Sequence, residues 1–147
     1  SGRPLDTATL DPDARIDAIL AWSALPGASR HHWGTDIDVI DRAATAQGYL
    51  PQLVPAEYAP GGVFHRLDAW LTASMSRFGF YRPYVRDLGG VRPEAWHLSH
   101  ADSARPACGG LTGEIMQEAI ESADIEGKER LIERMDEIRE RYVVERQ

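Results

Sequence analysis

Two short stretches hold most of the side chains able to bind a metal or move a proton. They are Ser29-Arg30-His31-His32-Trp33-Gly34-Thr35-Asp36-Ile37-Asp38 and Glu94-Ala95-Trp96-His97. Imidazole nitrogens and carboxylate oxygens bind zinc at about 2.0–2.2 Å, so ligands must converge on one point. Seven residues of straight helix rise about 10.5 Å, too far for His31 and Asp38 to share an ion. On an unbroken strand an odd separation sends them to opposite faces. The pair converges only if the chain bends between them, and Gly34 is a residue that tolerates the bend. Asp38, flanked by Ile37 and Val39, then faces away from neighbours that enter the core.

The second stretch sets an acid three residues before a histidine. A hydrolase built on a metal needs a carboxylate that reaches the attacking water without occupying the ion. Proximity in sequence to a ligand fixes that distance if the backbone is turned there, and Gly89-Gly90 and Pro93 favour such irregularity. Two histidines and one carboxylate also leave the fourth tetrahedral position open, as a catalytic site requires. Alone, each stretch has a plainer reading. Glu-x-x-His recurs by chance, Asp38 suits a surface strand, and His31 or His97 suits a hydrogen-bonded structural histidine.

The elements that must position these residues follow from local patterns. Asp11-Pro12-Asp13 predicts a helix start, with Ile16, Ile19 and Leu20 as an apolar stripe running to about Ala24 before Pro26-Gly27. Residues 35–40 alternate as a strand, with Ile37 and Val39 on one face and Asp36 and Asp38 on the other. Residues 48–62, rich in Pro and Gly, predict a long surface loop. Phe64, Leu67, Leu71 and Met75 mark a helix from about Val63 to Phe78, closed by Gly79. Residues 80–85 are aromatic and extended, and Ala95 to Ser99 is a further strand. Beyond Gly109-Gly110, Thr112 caps a helix to about Ala123, and a charged helix spans about Lys128 to Val144. These two form a hairpin packed on the rest, their charges a solvated face.

The chain has 147 residues, enough for one domain burying roughly 68–70% of its unfolded surface. A formal charge of −7 without a Lys/Arg-rich block speaks against nucleic acid and anionic membranes as partners. Cys108 is the only cysteine, which excludes an intrachain disulfide and a thiolate zinc knuckle. No stretch approaches the roughly 20 apolar residues of a membrane span, and no signal peptide opens the chain. Ser1-Gly2-Arg3-Pro4 lacks an initiating Met and reads as a cut edge, from which a leader or upstream segment is expected to be missing. Oligomeric state is not legible.

Together the two stretches resemble the zinc D-Ala-D-Ala metallopeptidases. That group joins D-alanyl-D-alanine carboxypeptidases, D-Ala-D-Ala dipeptidases and L-alanyl-D-glutamate endopeptidases, with lysostaphin-type enzymes and the Hedgehog signalling domain as distant relatives. The signature Ser-x-His-x-x-Gly-x-Ala/Asp-x-Asp matches Ser29, His31, Gly34, Asp36 and Asp38, and Glu-x-Trp-His matches Glu94, Trp96 and His97. The resemblance covers roughly Asp11 to Ala101. It implies one Zn²⁺ per chain held by His31, Asp38 and His97, with Glu94 as general acid and base. Ser29 would help hold the substrate's C-terminal carboxylate, and Asp36 and Trp96 would support the ligands from the second layer.

The fold implied is α+β: a small antiparallel sheet carrying the zinc site, helices on one face, and a C-terminal helical hairpin. Residues 1–110 would form the peptidase domain and 111–147 the extension. The implied substrate is a peptidoglycan-derived peptide ending in D-Ala-D-Ala, which favours the periplasm or cell envelope over the cytoplasm. An L-alanyl-D-glutamate endopeptidase and a non-catalytic zinc module are the alternatives. The resemblance also implies an arginine upstream of the first motif, in a Ser-x-x-Arg-like segment; none precedes Asp11, and Arg3 stands in a different context. Of the other candidates, His32 points elsewhere on an extended segment, His100 suits a pocket rim, His65 an exposed helix position, and Cys108 an idle thiol.

Overall fold

Asp11 opens the first element. In the computed structural model, which describes residues 9–145, its carboxylate accepts from the backbone N–H groups of Asp13 and Ala14 and caps α1 (Pro12–Leu20). α1 stops short of Ala24. On a continued helix Leu20 and Leu25 would point about 140° apart. The turn after Leu20 lets both enter one apolar cluster with Ala28.

Three antiparallel strands form the sheet in the order β1 (Asp36–Asp38), β3 (His97–His100), β2 (Phe80–Tyr81). Asp36 pairs with Ser99, Ile37 with Leu98 and Asp38 with His97, while Tyr81 pairs with Ser99 from the other side. Directly paired residues share a face. One face therefore carries Asp36, Asp38, His97, Ser99 and Tyr81. The expectation that Ile37 enters the core is corrected: it is 49% exposed, whereas Asp36 is 5% exposed. β1 is an edge strand, and it is the polar face of this strand that is covered, because charged and hydroxyl partners satisfy Asp36 there.

Past β1, the expected loop over 48–62 contains the short helix α2 (Pro55–Tyr58), with Glu57 and Tyr58 buried. Glu57 accepts from the Tyr49 hydroxyl and from the backbone N–H groups of Gln52 and Val54, which ties the loop down. Tyr58 packs with Phe64 and Trp96 in a second apolar cluster, and its hydroxyl donates to the Val39 carbonyl at 2.6 Å. The end of β1 is thereby anchored. α3 (His65–Ser74) continues as a 3₁₀ turn, Met75–Phe78, to Gly79, with Trp70 exposed on its outer side. His65, expected exposed, is half-buried.

α4 (Ala101–Gly110) follows β3 directly and was not legible in the sequence, since Pro106 and the glycine pair are poor helix formers. Thr112 then caps α5 (Gly113–Ser122) by accepting from the Ile115 N–H. The expected single helix over 128–144 is divided into α6 (Lys128–Glu133), α7 (Met135–Ile138) and a π-helical turn, Arg139–Val143. Leu131, Met135 and Ile138 join Met116 and Ile120 against Leu20 and Leu25 in the first cluster. The charges of this segment are more than a solvated face. Arg134 and Arg141 reach the Asp17 carboxylate at 2.7 and 2.8 Å, and Arg130 reaches Asp13 at 2.6 Å, so they also join it to α1.

Candidate metal centre and active site

A 3₁₀ turn over Arg30–Trp33 ends at Gly34, whose φ of 73° is left-handed, and the Gly34 N–H donates to the His31 carbonyl at 3.1 Å. That bend folds His31 back over β1. Its Nδ1 lies 3.2 Å from the Asp36 carbonyl, so Nδ1–H donates there and Nε2 is left for a ligand. Asp38 and His97 are brought together by the register of β1 and β3. The Asp38 Oδ1 stands 3.6 Å from His31 Nε2 and 3.6 Å from His97 Nδ1. One donor atom from each of the three residues lies within 4.8 Å of the others.

The donor set suits a divalent cation. In a tetrahedral shell with bonds of about 2.0–2.1 Å, neighbouring donors stand about 3.3–3.4 Å apart, so the Asp38 carboxylate is within a few tenths of an ångström of that spacing from each imidazole. Side-chain exposures of 41% for His31 and 33% for Asp38 keep the point of convergence open to solvent, while His97 is buried at 5%.

Behind the donors lies a polar layer. Asp36 accepts from His97 Nε2 at 2.8 Å, Arg30 Nε at 2.8 Å, the Thr35 hydroxyl at 2.6 Å and the Ser99 hydroxyl at 2.9 Å. Burial works against the Asp36 charge, but the hydrogen bonds from His97, Thr35 and Arg30 outweigh it and hold the carboxyl well below the usual range. Burial likewise opposes charge on His97, yet its bonds to Asp36 and Glu94 raise its pKa to about 9. Glu94 accepts from His97 Nδ1 at 3.0 Å. A cation would take the place of that Nδ1 proton and free the Glu94 carboxylate.

Glu94 sits in the irregular stretch before β3, where its N–H donates to the Tyr84 carbonyl at 2.9 Å and the Arg92 N–H to the Ala21 carbonyl at 3.0 Å. Trp96 makes no polar contact with a ligand through its side chain. Its indole lies 5.8 Å from the Tyr58 ring, and its carbonyl accepts from Val39, so it supports β1 by packing. Ser29 lines a cavity of about 200 Å³ together with Arg30, His31, Tyr84, Glu94 and His97. His32 is exposed, His100 packs on Phe80 and bonds Ser103, and the Cys108 thiol faces the Val143 carbonyl.

A family model described as VanY, D-alanyl-D-alanine carboxypeptidase, matches residues 9–103, well over half of the chain. The chain belongs to that family. A VanY-family chain is a peptidase of the D-alanyl-D-alanine carboxypeptidase kind. A Haemophilus influenzae protein described only as uncharacterized is 34% identical over 122 residues, covering 82% of this chain and 93% of its own length. No solved structure matches.

Sequence reasoning passed over Arg30, which occupies a variable position of the first motif. Buried at 5%, Arg30 also donates to the Tyr81 hydroxyl at 2.8 Å and the Ser99 hydroxyl at 2.7 Å, and pairs with Glu145 at 3.2 Å. Tyr81 hydrogen-bonds Glu145 as well. Tyr84, whose ring meets His97 edge-on at 5.1 Å, was read only as part of an extended aromatic run. Residues from the chain's end, Ile138, Tyr142 and Val143, line the cavity too. Nothing local in the sequence places them there, because long-range packing does.

Proposed function

We propose that the protein is a zinc-dependent D-alanyl-D-alanine carboxypeptidase acting on peptidoglycan stem peptides or their precursors. What carries this reading is the convergence of His31, Asp38 and His97 beside Glu94, with His31, Glu94 and His97 lining a small cavity, all within the stretch matched by the family. The three donors would hold zinc, whose chemistry at such a set is Lewis acidity: a lowered pKa for water and a polarised carbonyl.

The chain's own residues do the rest. Asp36 accepts from His97 Nε2 and so leaves Nδ1 turned toward Asp38, where it would help hold zinc, a supporting arrangement worth about 10–100-fold in metal affinity. The Asp36 backbone carbonyl does the same for His31. Glu94, no ligand itself, takes a proton from the attacking water and returns it to the leaving amine. Ser29, on the cavity wall, offers its hydroxyl to the substrate's terminal carboxylate. The substrate's place in the wall supports a periplasmic or cell-envelope site of action.

The test is release of D-alanine from an acylated peptide ending in D-Ala-D-Ala. Dialysis against a chelator is expected to abolish release, and one equivalent of zinc to restore it. Activity that survives chelation would contradict the zinc assignment. Cleavage confined to L-Ala-D-Glu bonds would replace the carboxypeptidase by the endopeptidase and leave the mechanism standing.

A further inference from the structure

Arg30 is an awkward neighbour for a cation site. It precedes His31 in sequence, and its Nε meets the same Asp36 oxygen that accepts from His97 Nε2, both at 2.8 Å. A cation held by His97 would stand one carboxylate away from a guanidinium that is 4% exposed and so little screened by water. Like charges repel there. The guanidinium also competes with His97 for the one oxygen that orients the imidazole.

A second carboxylate reaches Arg30 from the far end of the chain. Glu145 Oε1 pairs with Arg30 Nη2 at 3.2 Å. The Tyr81 hydroxyl accepts from the same Nη2 at 2.8 Å and hydrogen-bonds that Oε1 in turn, so the three side chains close a triangle. Ser99 ties the triangle to Asp36 by another route, its hydroxyl accepting from Nη2 at 2.7 Å and donating to Asp36 Oδ1 at 2.9 Å. Imidazoles are neutral when they hold a metal. One positive and two negative charges then stand behind His97, which favours a cation; without Glu145 the three groups that remain are neutral in sum.

Glu145 lies beyond the stretch matched by the family, 9–103, and the fold holds it in place. The π-helical turn Arg139–Val143 precedes it, and Val144 leaves that turn in an extended conformation. Arg141 pins the turn by donating to the Gly89 carbonyl at 2.6 Å and to Asp17 at 2.8 Å. The Arg141 carbonyl approaches Gly90 so closely that a Cβ there would stand 2.0 Å from it, which leaves room only for glycine. We propose that Glu145 is a positioning residue of the metal centre: it holds and offsets the buried Arg30, leaves Asp36 to His97, and so makes the chain's C-terminal end set how tightly the centre binds its ion. This rests on the zinc reading above.

The test is competition of the metal-free full chain against a chromophoric chelator for zinc. Loss of a ligand's direct partner costs about 10–100-fold in affinity; Glu145 acts one residue further back, so Glu145→Gln is expected to weaken zinc binding about tenfold. Glu145→Asp keeps the charge and is expected to stay nearer to wild type. Glu133→Gln removes the same charge from a side chain 62% exposed and is expected to stay within about twofold of wild type. Cobalt at saturation should give the Glu145→Gln chain the same tetrahedral absorption, since all three ligands remain. A merely structural role would lower Tm and leave the affinity of the folded chain unmoved. Folded Glu145→Gln with wild-type affinity therefore overturns the proposal and leaves the zinc reading standing. Equal losses in Glu145→Gln and Glu133→Gln overturn it too, as does Glu145→Asp binding more weakly than Glu145→Gln. A wild type that takes up no zinc overturns both.

Discussion

Glu94→Gln is expected to lower turnover of a D-Ala-D-Ala peptide by about 10²–10⁴-fold, the usual contribution of a positioned general acid–base. The amide matches the carboxylate in shape but cannot accept a proton at any relevant pH. Glu94 is not one of the three convergent donors, so the variant is expected to keep its zinc. KM should move far less than kcat, because the lost interaction belongs to proton transfer and not to substrate binding. Metal content and steady-state kinetics on the same sample separate the two effects. Unchanged turnover would sink the catalytic role and favour a non-catalytic metal module.

The largest effect on stability is expected at Arg30. Its guanidinium, 4% exposed, faces the buried Asp36 carboxylate at 2.8 Å, the same distance at which His97 Nε2 meets that carboxylate. Removing one partner of a buried pair leaves an uncompensated charge and costs about 3–5 kcal/mol. Arg30→Met should therefore unfold at markedly lower denaturant, and Tm should fall by roughly 10 °C or more for a chain of this size. The double variant Arg30→Met, Asp36→Leu is expected to recover much of the stability, since neither charge is then stranded. It would still lose the acceptor that orients His97. Because Asp36 ionises below the usual range in the folded chain, its contribution is full above about pH 4 and lost as pH falls through the lower folded value. An Arg30→Met cost below about 1 kcal/mol would contradict the pairing described here.

The site was more legible in the sequence than the fold around it. Gly34 signalled the bend between His31 and Asp38, because only a turn reconciles an odd spacing with shared ligation. Asp11 and Thr112 announced α1 and α5, since a capping carboxylate or hydroxyl acts within three residues. Ile37 misled because alternation tells that two faces exist and not which is covered; a paired aspartate can be the buried one. Tyr58 was hidden in a Pro/Gly-rich stretch whose anchoring depends on Glu57 collecting donors from its own loop. Arg30 was invisible as a structural cation, for its partners lie at positions 36, 81, 99 and 145. The same holds for Tyr142 and Val143, which line the cavity through their packing on the first apolar cluster.

Direct metal titration of the apo chain and its ligand variants probes the core of this account most closely. One zinc or cobalt ion is expected to bind per wild-type chain, with the intense visible absorption of tetrahedral cobalt. His31→Ala, Asp38→Ala and His97→Ala should each weaken binding by at least about 100-fold, and Asp36→Ala by about 10–100-fold. Wild-type chains that take up no ion, or two ligand variants that bind as tightly as wild type, would contradict it.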